Sequence, residues 1–224
     1  MTGCEGDSKG AGAPAEQAAP KHASKTLVFG GSFDPPHTGH LNLLANGIAA
    51  VAPSRVVVVP AGTAPHKAES HTPAELRLAM CACFQPAFPG LEISDLELRR
   101  PGKSYTWDTL LALQAAAPDE DFCLLVGGDM LAGFTGWYRW QDLLARATLV
   151  AGGRHPNEMP ALEQAAETLR TAGGRVILAE GPVLELSSSG LRAALARGDD
   201  AAWALIPPPA DAIAREHRLY TDEP

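Results

Sequence analysis

The sequence predicts a parallel, doubly wound α/β sheet, and three observations predict it. Short apolar runs of strand length alternate along the chain with stretches of helical spacing. One of those runs, RVVVVP at Arg55–Pro60, is apolar at successive positions, as in a strand buried on both faces. Strand-like segments also end repeatedly in glycine, after Phe29, Val126 and Ala151. In such sheets ligands bind at the carboxyl ends of the strands.

The elements follow in order. Residues 26–31 (TLVFGG) read as the first strand and residues 39–51 as a helix. The second strand is Arg55–Pro60. Residues 72–86 have helical spacing, with Leu76, Met80, Cys83 and Phe84 on one stripe. Residues 91–96 read as a strand, and 105–116 as a helix followed by Pro118. Residues 122–126 form a strand before Gly127-Gly128. Residues 140–147 are helical, and 147–151 make a strand before Gly152-Gly153. Residues 160–172 form a helix closed by Gly173-Gly174, 175–179 a strand, and 188–196 a helix ending at Gly198. There is no internal repeat and no second domain.

The 224 residues suit one domain with a tail. Residues 1–24, rich in Ala, Gly and Pro and lacking an apolar stretch, read as a disordered N-terminal extension; residues 25–224 form the domain. The apolar fraction of 46% allows a sizeable core. No apolar run approaches membrane-spanning length. The net charge of −8 argues against a nucleic-acid partner or an anionic membrane, while leaving room for a local basic pocket. Cys4, Cys81, Cys83 and Cys123 show no CxxC spacing, so neither zinc nor a disulfide framework is expected, and a cytoplasmic setting is simplest. A homo-oligomer is left open.

The most informative stretch is GGSFDPPHTGHL, residues 30–41. Gly30 and Gly31 allow close approach to the backbone, Pro35 and Pro36 stiffen the turn, and Thr38 is the expected N-cap of a helix opened by Gly39. His37 and His40 then lie near the positive end of that helix, a setting for an anion. Metal binding is one rival, but no third Cys or His ligand with matching spacing follows. A turn whose histidines merely cap the helix is another. The stretch is neither a Walker loop nor a GxGxxG fingerprint.

GGSFDPPHTGH resembles the GG[ST]FDPxHxGH signature of the nucleotidyltransferases with a HxGH motif. LSSSGLR at residues 186–192 resembles their second signature, ISSTxIR. The segments between narrow the resemblance to the bacterial nicotinate-nucleotide adenylyltransferases: PAGTAPHK (60–67), RRPGKSYTWDTL (99–110), VGGDMLAGFTGWYRWQDLL (126–144), GGRHP (152–156) and LIPPPADAIAREHRLY (205–220). The resemblance spans about residues 26–220. Two positions depart from it: Ser189 replaces the usual Thr, keeping the hydroxyl, and Gly128 stands where Ala or Gln is common.

The resemblance implies a Rossmann-like nucleotidyltransferase fold and a reaction in NAD biosynthesis. ATP and nicotinate mononucleotide give nicotinate adenine dinucleotide (deamido-NAD) and pyrophosphate. The nucleophile is a phosphate oxygen, already ionised at neutral pH, so catalysis is mainly positioning and charge neutralisation. The catalytic residues it implies are His37, His40, Lys67 and Arg192. Gly30, Gly31, Ser32, Phe33, Gly127, Asp129, Arg154, Ser188 and Ser189 would join His37, His40 and Arg192 around ATP. Ser32, Lys67, Ser104, Tyr105, Thr106, Trp137 and Tyr138 would hold nicotinate mononucleotide, with Trp137 stacked on the pyridinium ring. Asp129 also reads as a helix N-cap, Trp140 and Trp203 as structural, and Trp107 stays open between site and core. Mg²⁺ would be carried by the ATP phosphates, with no side-chain ligands. The rival readings are an adenylyltransferase for nicotinamide mononucleotide or another small phosphate ester, and a catalytically silent nucleotide-binding regulator.

Overall fold

A computed structural model describes residues 24–63, 72–153, 158–182 and 184–221. The expected N-terminal extension therefore lies almost wholly outside the described residues, as do Lys67 and Arg154. The chain runs β1 (Lys25–Gly31), α1 (Thr38–Val51), β2 (Arg55–Pro60), α2 (Ala74–Met80), β3 (Glu92–Ile93), α3 (Thr106–Ala116) and β4 (Asp121–Gly127). It continues through α4 (Gly128–Ala132), α5 (Trp140–Arg146), β5 (Ala147–Gly152), α6 (Met159–Thr171), β6 (Arg175–Leu178), α7 (Ser188–Ala196) and α8 (Ala210–Glu216). Short 3-10 turns occupy Cys81–Ala87, Phe134–Gly136 and Asp200–Leu205.

The strands form one parallel sheet in the order β3-β2-β1-β4-β5-β6. The chain leaves β1 for β2 on one side and returns to β4 on the other. The order thus reverses between β1 and β4, and it is outside the carboxyl ends of the strands at such a reversal that doubly wound sheets bind ligands. Alternate residues of each strand serve opposite cores. Leu27, Phe29, Val56, Val58, Cys123 and Leu125 face one cluster with α1, α7 and α8. Val28, Val57, Val59, Phe122, Leu124 and Val126 face the other with α3, α5 and α6. Burial on both faces is why the VVVV run carries no polar alternation.

Several expectations are corrected. Residues 72–86 do not make one helix: α2 ends at Met80 and tightens into the 3-10 turn, within which Pro86 has no N–H to donate. Met80, Cys83 and Phe84 are buried as expected, but Arg77 and not Leu76 completes the buried face. The strand expected over 91–96 shortens to Glu92–Ile93, because a turn closed by Arg99 N–H to the Asp95 carbonyl (3.0 Å) follows. Helices α4 and α8 were not expected; each spans fewer than two turns. Among the described residues no helix is long and apolar enough to cross a membrane.

Candidate active site

The three glycine-ended strands β1, β4 and β5 are neighbours, and Gly127 pairs in register with Gly152. The segments following them therefore share one edge. After β1 the chain turns sharply: Phe33 adopts a left-handed φ of 48° and the Asp34–Pro35 peptide is cis. That φ folds the Phe33 ring back over Gly31, where a Cβ would meet it at 2.9 Å. The ring is 1% exposed and packs edge-on against Phe29, Phe84 and His40. The Phe33 side chain thus belongs to the core beneath the turn. Gly30, in contrast, is exposed at the strand end.

The N-cap of α1 is His37, not Thr38. Its Nδ1 accepts the His40 N–H at 3.3 Å, and the Nδ1 of His40 accepts the His37 N–H at 3.3 Å. The two imidazoles stack with centroids 3.7 Å apart. A nitrogen that accepts a hydrogen bond cannot also carry the proton, so each neutral ring holds its proton on Nε2. The pair stands at the N-terminus of a 14-residue helix with no acid in its first turn, His37 buried at 3% exposure and His40 half-buried.

Four side chains from distant elements fix this turn. Arg192 Nη1 donates to the Asp34 carbonyl at 2.6 Å and lies 3.8 Å from its carboxylate. Ser188 Oγ donates to the Pro35 carbonyl at 3.0 Å. Tyr220 donates to Asp34 Oδ1 at 2.7 Å and accepts from Thr72 at 3.4 Å. Arg77 Nη1 donates to the carbonyls of Ser32 (2.9 Å) and Ala61 (2.7 Å). Ser188 and Arg192 thus reach the turn, and part of Arg192 is already spent on it. Ser187 caps α7 by accepting the Gly190 N–H and lies 3.3 Å from the exposed Ser189.

The segments expected at the acceptor also come together. Thr63 bridges to Lys103, and the Ser104 N–H donates to the Thr63 carbonyl at 2.8 Å, joining the end of β2 to the start of α3. Tyr105 precedes α3, and its ring lies 4.8 Å from that of Tyr138. Trp137 is half-buried 5.0 Å from Phe134, and Tyr138 is 52% exposed. Ser104 itself is buried, whereas Thr106 at the first turn of α3 is partly exposed. Trp107 is resolved as core: it is buried beneath the guanidinium of Arg139, 4.3 Å above its ring. Trp140 is half-buried against the same core and Trp203 is buried in the other.

The start of α4 carries a further correction. Its N-cap is Gly127, and Asp129 stands exposed in the first turn without capping it. Gly128 has a packing reason: a Cβ there would lie 2.8 Å from Leu162 of α6.

Sequence reasoning passed over Arg77, Asp34, Tyr220 and Glu97. Arg77 left a signal, since it lies three residues before Met80 and shares its buried face. Tyr220 left none, being 186 residues from its partner. Glu97 is buried beside the acceptor segments, accepts from Thr109 Oγ1 at 2.7 Å, and has its pKa raised by burial.

Comparison with known proteins agrees with this geometry. Residues 28–194 match the family model for cytidylyltransferase-like proteins. A probable nicotinate-nucleotide adenylyltransferase of Aeromonas hydrophila subsp. hydrophila is 37% identical, over 86% of this chain and 95% of its own. One of Symbiobacterium thermophilum is 36% identical, over 88% and 95%. The nicotinic acid mononucleotide adenylyltransferase of Plasmodium falciparum, complexed with NaAD, superposes with a TM-score of 0.70 at 19% identity. That superposition covers 88% of this chain and 97% of the other.

Proposed function

Because the chain belongs to the nicotinate-nucleotide adenylyltransferases, we propose that the turn after β1 and the start of α7 hold ATP, and that the segments around Tyr105 and Trp137 hold nicotinate mononucleotide. The enzyme transfers AMP from ATP to nicotinate mononucleotide in NAD biosynthesis. A phosphate oxygen of the mononucleotide attacks the α-phosphorus of ATP. The bond from that phosphorus to the β-bridging oxygen breaks, and pyrophosphate leaves with the electron pair. The nucleophile is already an anion, so no general base is needed. What the protein must supply is alignment of two anions and donors for the charge that moves onto the leaving group.

The observation that carries this reading is the mutual capping of His37 and His40. With each Nδ1 accepting a backbone N–H, the neutral rings carry their protons on Nε2, the atom left to donate to a phosphate. We assign His40 to the α-phosphate and His37 to the neighbouring phosphates. Ser188, Ser189 and the exposed part of Arg192 take the β/γ end, and Gly30, Gly31, Ser32, Gly127 and Asp129 line the nucleotide. Lys67 and Arg154 are assigned through the PHK and GGRHP segments alone. On the acceptor side, Trp137 stacks on the pyridinium ring, and the backbone N–H groups around Tyr105, Thr106 and Tyr138 take the nicotinate carboxylate. We assign Mg²⁺ to the ATP phosphates. Among the described residues no group of three or more His, Cys, Asp or Glu side chains gathers to hold a metal. The ion's contribution is to neutralise phosphate charge.

The test is pyrophosphate release by the purified protein with Mg-ATP and either nicotinate or nicotinamide mononucleotide. Faster turnover with the nicotinate form is expected. Equal rates overturn the carboxylate preference, and no turnover with either overturns the assignment of the reaction. Replacing His40 by Ala should nearly abolish turnover in a folded protein; unchanged turnover overturns the role given to the histidine.

A further inference from the structure

Arg77 is 4% exposed, and its Nε is buried with no hydrogen-bond partner among the described residues. Its Nη1 bonds two backbone carbonyls, Ser32 just past β1 and Ala61 just past β2. The other arginines in ion pairs here are more exposed and lean on carboxylates; none of those pairs includes Arg77. Cys81, four residues on, does not neutralise it, because burial raises its pKa and keeps it a neutral thiol. Arginine does not give up its proton in a protein. A full positive charge therefore sits in a water-poor setting without a countercharge among the described residues.

Such a charge is costly to bury, and a clasp between two carbonyls does not need one, since a neutral amide donates as well. Its location supplies a reason. Ser32 leads into the histidine turn on the ATP side. Ala61 leads to Thr63, which is joined to Lys103 and Ser104 on the acceptor side. The guanidinium thus lies where the two halves of the site meet, beneath the edge at which the phosphates of both substrates converge.

We propose that Arg77 is an electrostatic positioning residue, its buried charge compensated by the substrate phosphates and not by a protein carboxylate, while its donors hold the ends of β1 and β2 in register for the two substrates. This rests on the reading of that edge as the phosphate site. The field of a buried charge is weakly screened, so it favours every phosphate-bearing ligand of the site, including the leaving pyrophosphate.

Two substitutions separate charge from clasp, assayed at about pH 6 because a buried amine gives up its proton more readily than a guanidinium: Arg77→Lys then keeps a cationic group, and Arg77→Gln keeps an amide donor without charge. Pyrophosphate affinity is measured by calorimetry, KM for ATP and for nicotinate mononucleotide by initial rates, and stability by thermal unfolding without ligand. The Lys variant should stay within about threefold of wild type in all three affinities. The Gln variant should weaken all three by about tenfold or more while unfolding within a few degrees of the Lys variant. Wild-type affinity in the Gln variant, equal losses in both variants, or a Gln variant that fails to fold while the Lys variant folds would each overturn the proposal. The His40→Ala variant is the control. If it binds pyrophosphate as tightly as wild type, the phosphate-site reading fails, whatever Arg77 does.

Discussion

His37 and His40 cap each other. Each Nδ1 accepts the backbone N–H of the other residue at 3.3 Å, and the rings stack 3.7 Å apart. The arrangement is a capping box built from imidazoles where Ser and Glu are usual. It does two things with one set of atoms. It gives the His37 N–H an acceptor and adds a second to the His40 N–H, which also reaches the His37 carbonyl at 2.8 Å, and it places the ring proton of each neutral imidazole on Nε2 near the helix's positive end. The metal reading of the HxxH pair loses ground here, since both Nδ1 atoms are already used.

The two roles can be pulled apart. Asn is a good N-cap but lacks the Nε2 donor. His37→Asn should keep thermal stability within a few degrees of wild type and lower kcat by about a hundredfold or more. His37→Ala should lose the activity and, in addition, about 1 kcal/mol of stability. Unfolding curves and steady-state rates for the pair decide it; an active Asn variant would show that His37 is only a cap.

Tyr220 reaches back to Asp34 from near the C-terminus. Tyr220→Phe leaves one oxygen of a buried carboxylate without that donor, which should cost about 1–2 kcal/mol by chemical denaturation. Because Asp34 also accepts Arg192, the turn should loosen and kcat fall several-fold. Combining Tyr220→Phe with Asp34→Asn in a double-mutant cycle should give a coupling energy clearly different from zero; additive effects refute the link.

Gly128→Ala should destabilise by about 1–3 kcal/mol, since the added methyl meets Leu162 at 2.8 Å. Shortening that neighbour, with Leu162→Val in the same chain, should recover part of the loss, measured as non-additive shifts in the unfolding midpoint. A Gly128→Ala protein as stable as wild type would show that α6 yields at no cost.

Glu97 gives a pH dependence with a defined sign. Burial raises its folded-state pKa above the usual glutamate range. The folded protein therefore holds this proton more tightly than the unfolded chain. The resulting stability is fully present below the unfolded pKa and is lost as pH rises through the folded one. Glu97→Gln removes that dependence and can still accept from Thr109. Relative to the Gln variant, wild type should be at its best in acid and lose ground as pH rises; a difference independent of pH sinks the argument.

Much of the scaffold was legible in the sequence, for local reasons. Arg55–Pro60 announced a strand buried on both faces, and β1, α1, β4, β5 and α7 announced themselves by glycine ends or helical spacing. Elements α4 and α8 went unread; each spans fewer than two helical turns, so an apolar stripe has little length in which to repeat. Thr38 was expected at the cap that His37 occupies because an imidazole rarely plays that part, although the reading of histidines that cap the helix was among the rivals.

By itself, then, the sequence determined the fold class, the family and the histidine turn, since each is written in contiguous residues and their spacing. Tertiary structure alone decided how that turn is held. Tyr220 meets Asp34, Arg192 meets its carbonyl, and Arg77 ties Ser32 to Ala61. Those partners are separated by up to 186 residues. Hydrogen bonds over such separations carry no periodicity along the chain, and they exist only once the sheet order has brought the strand ends to one edge.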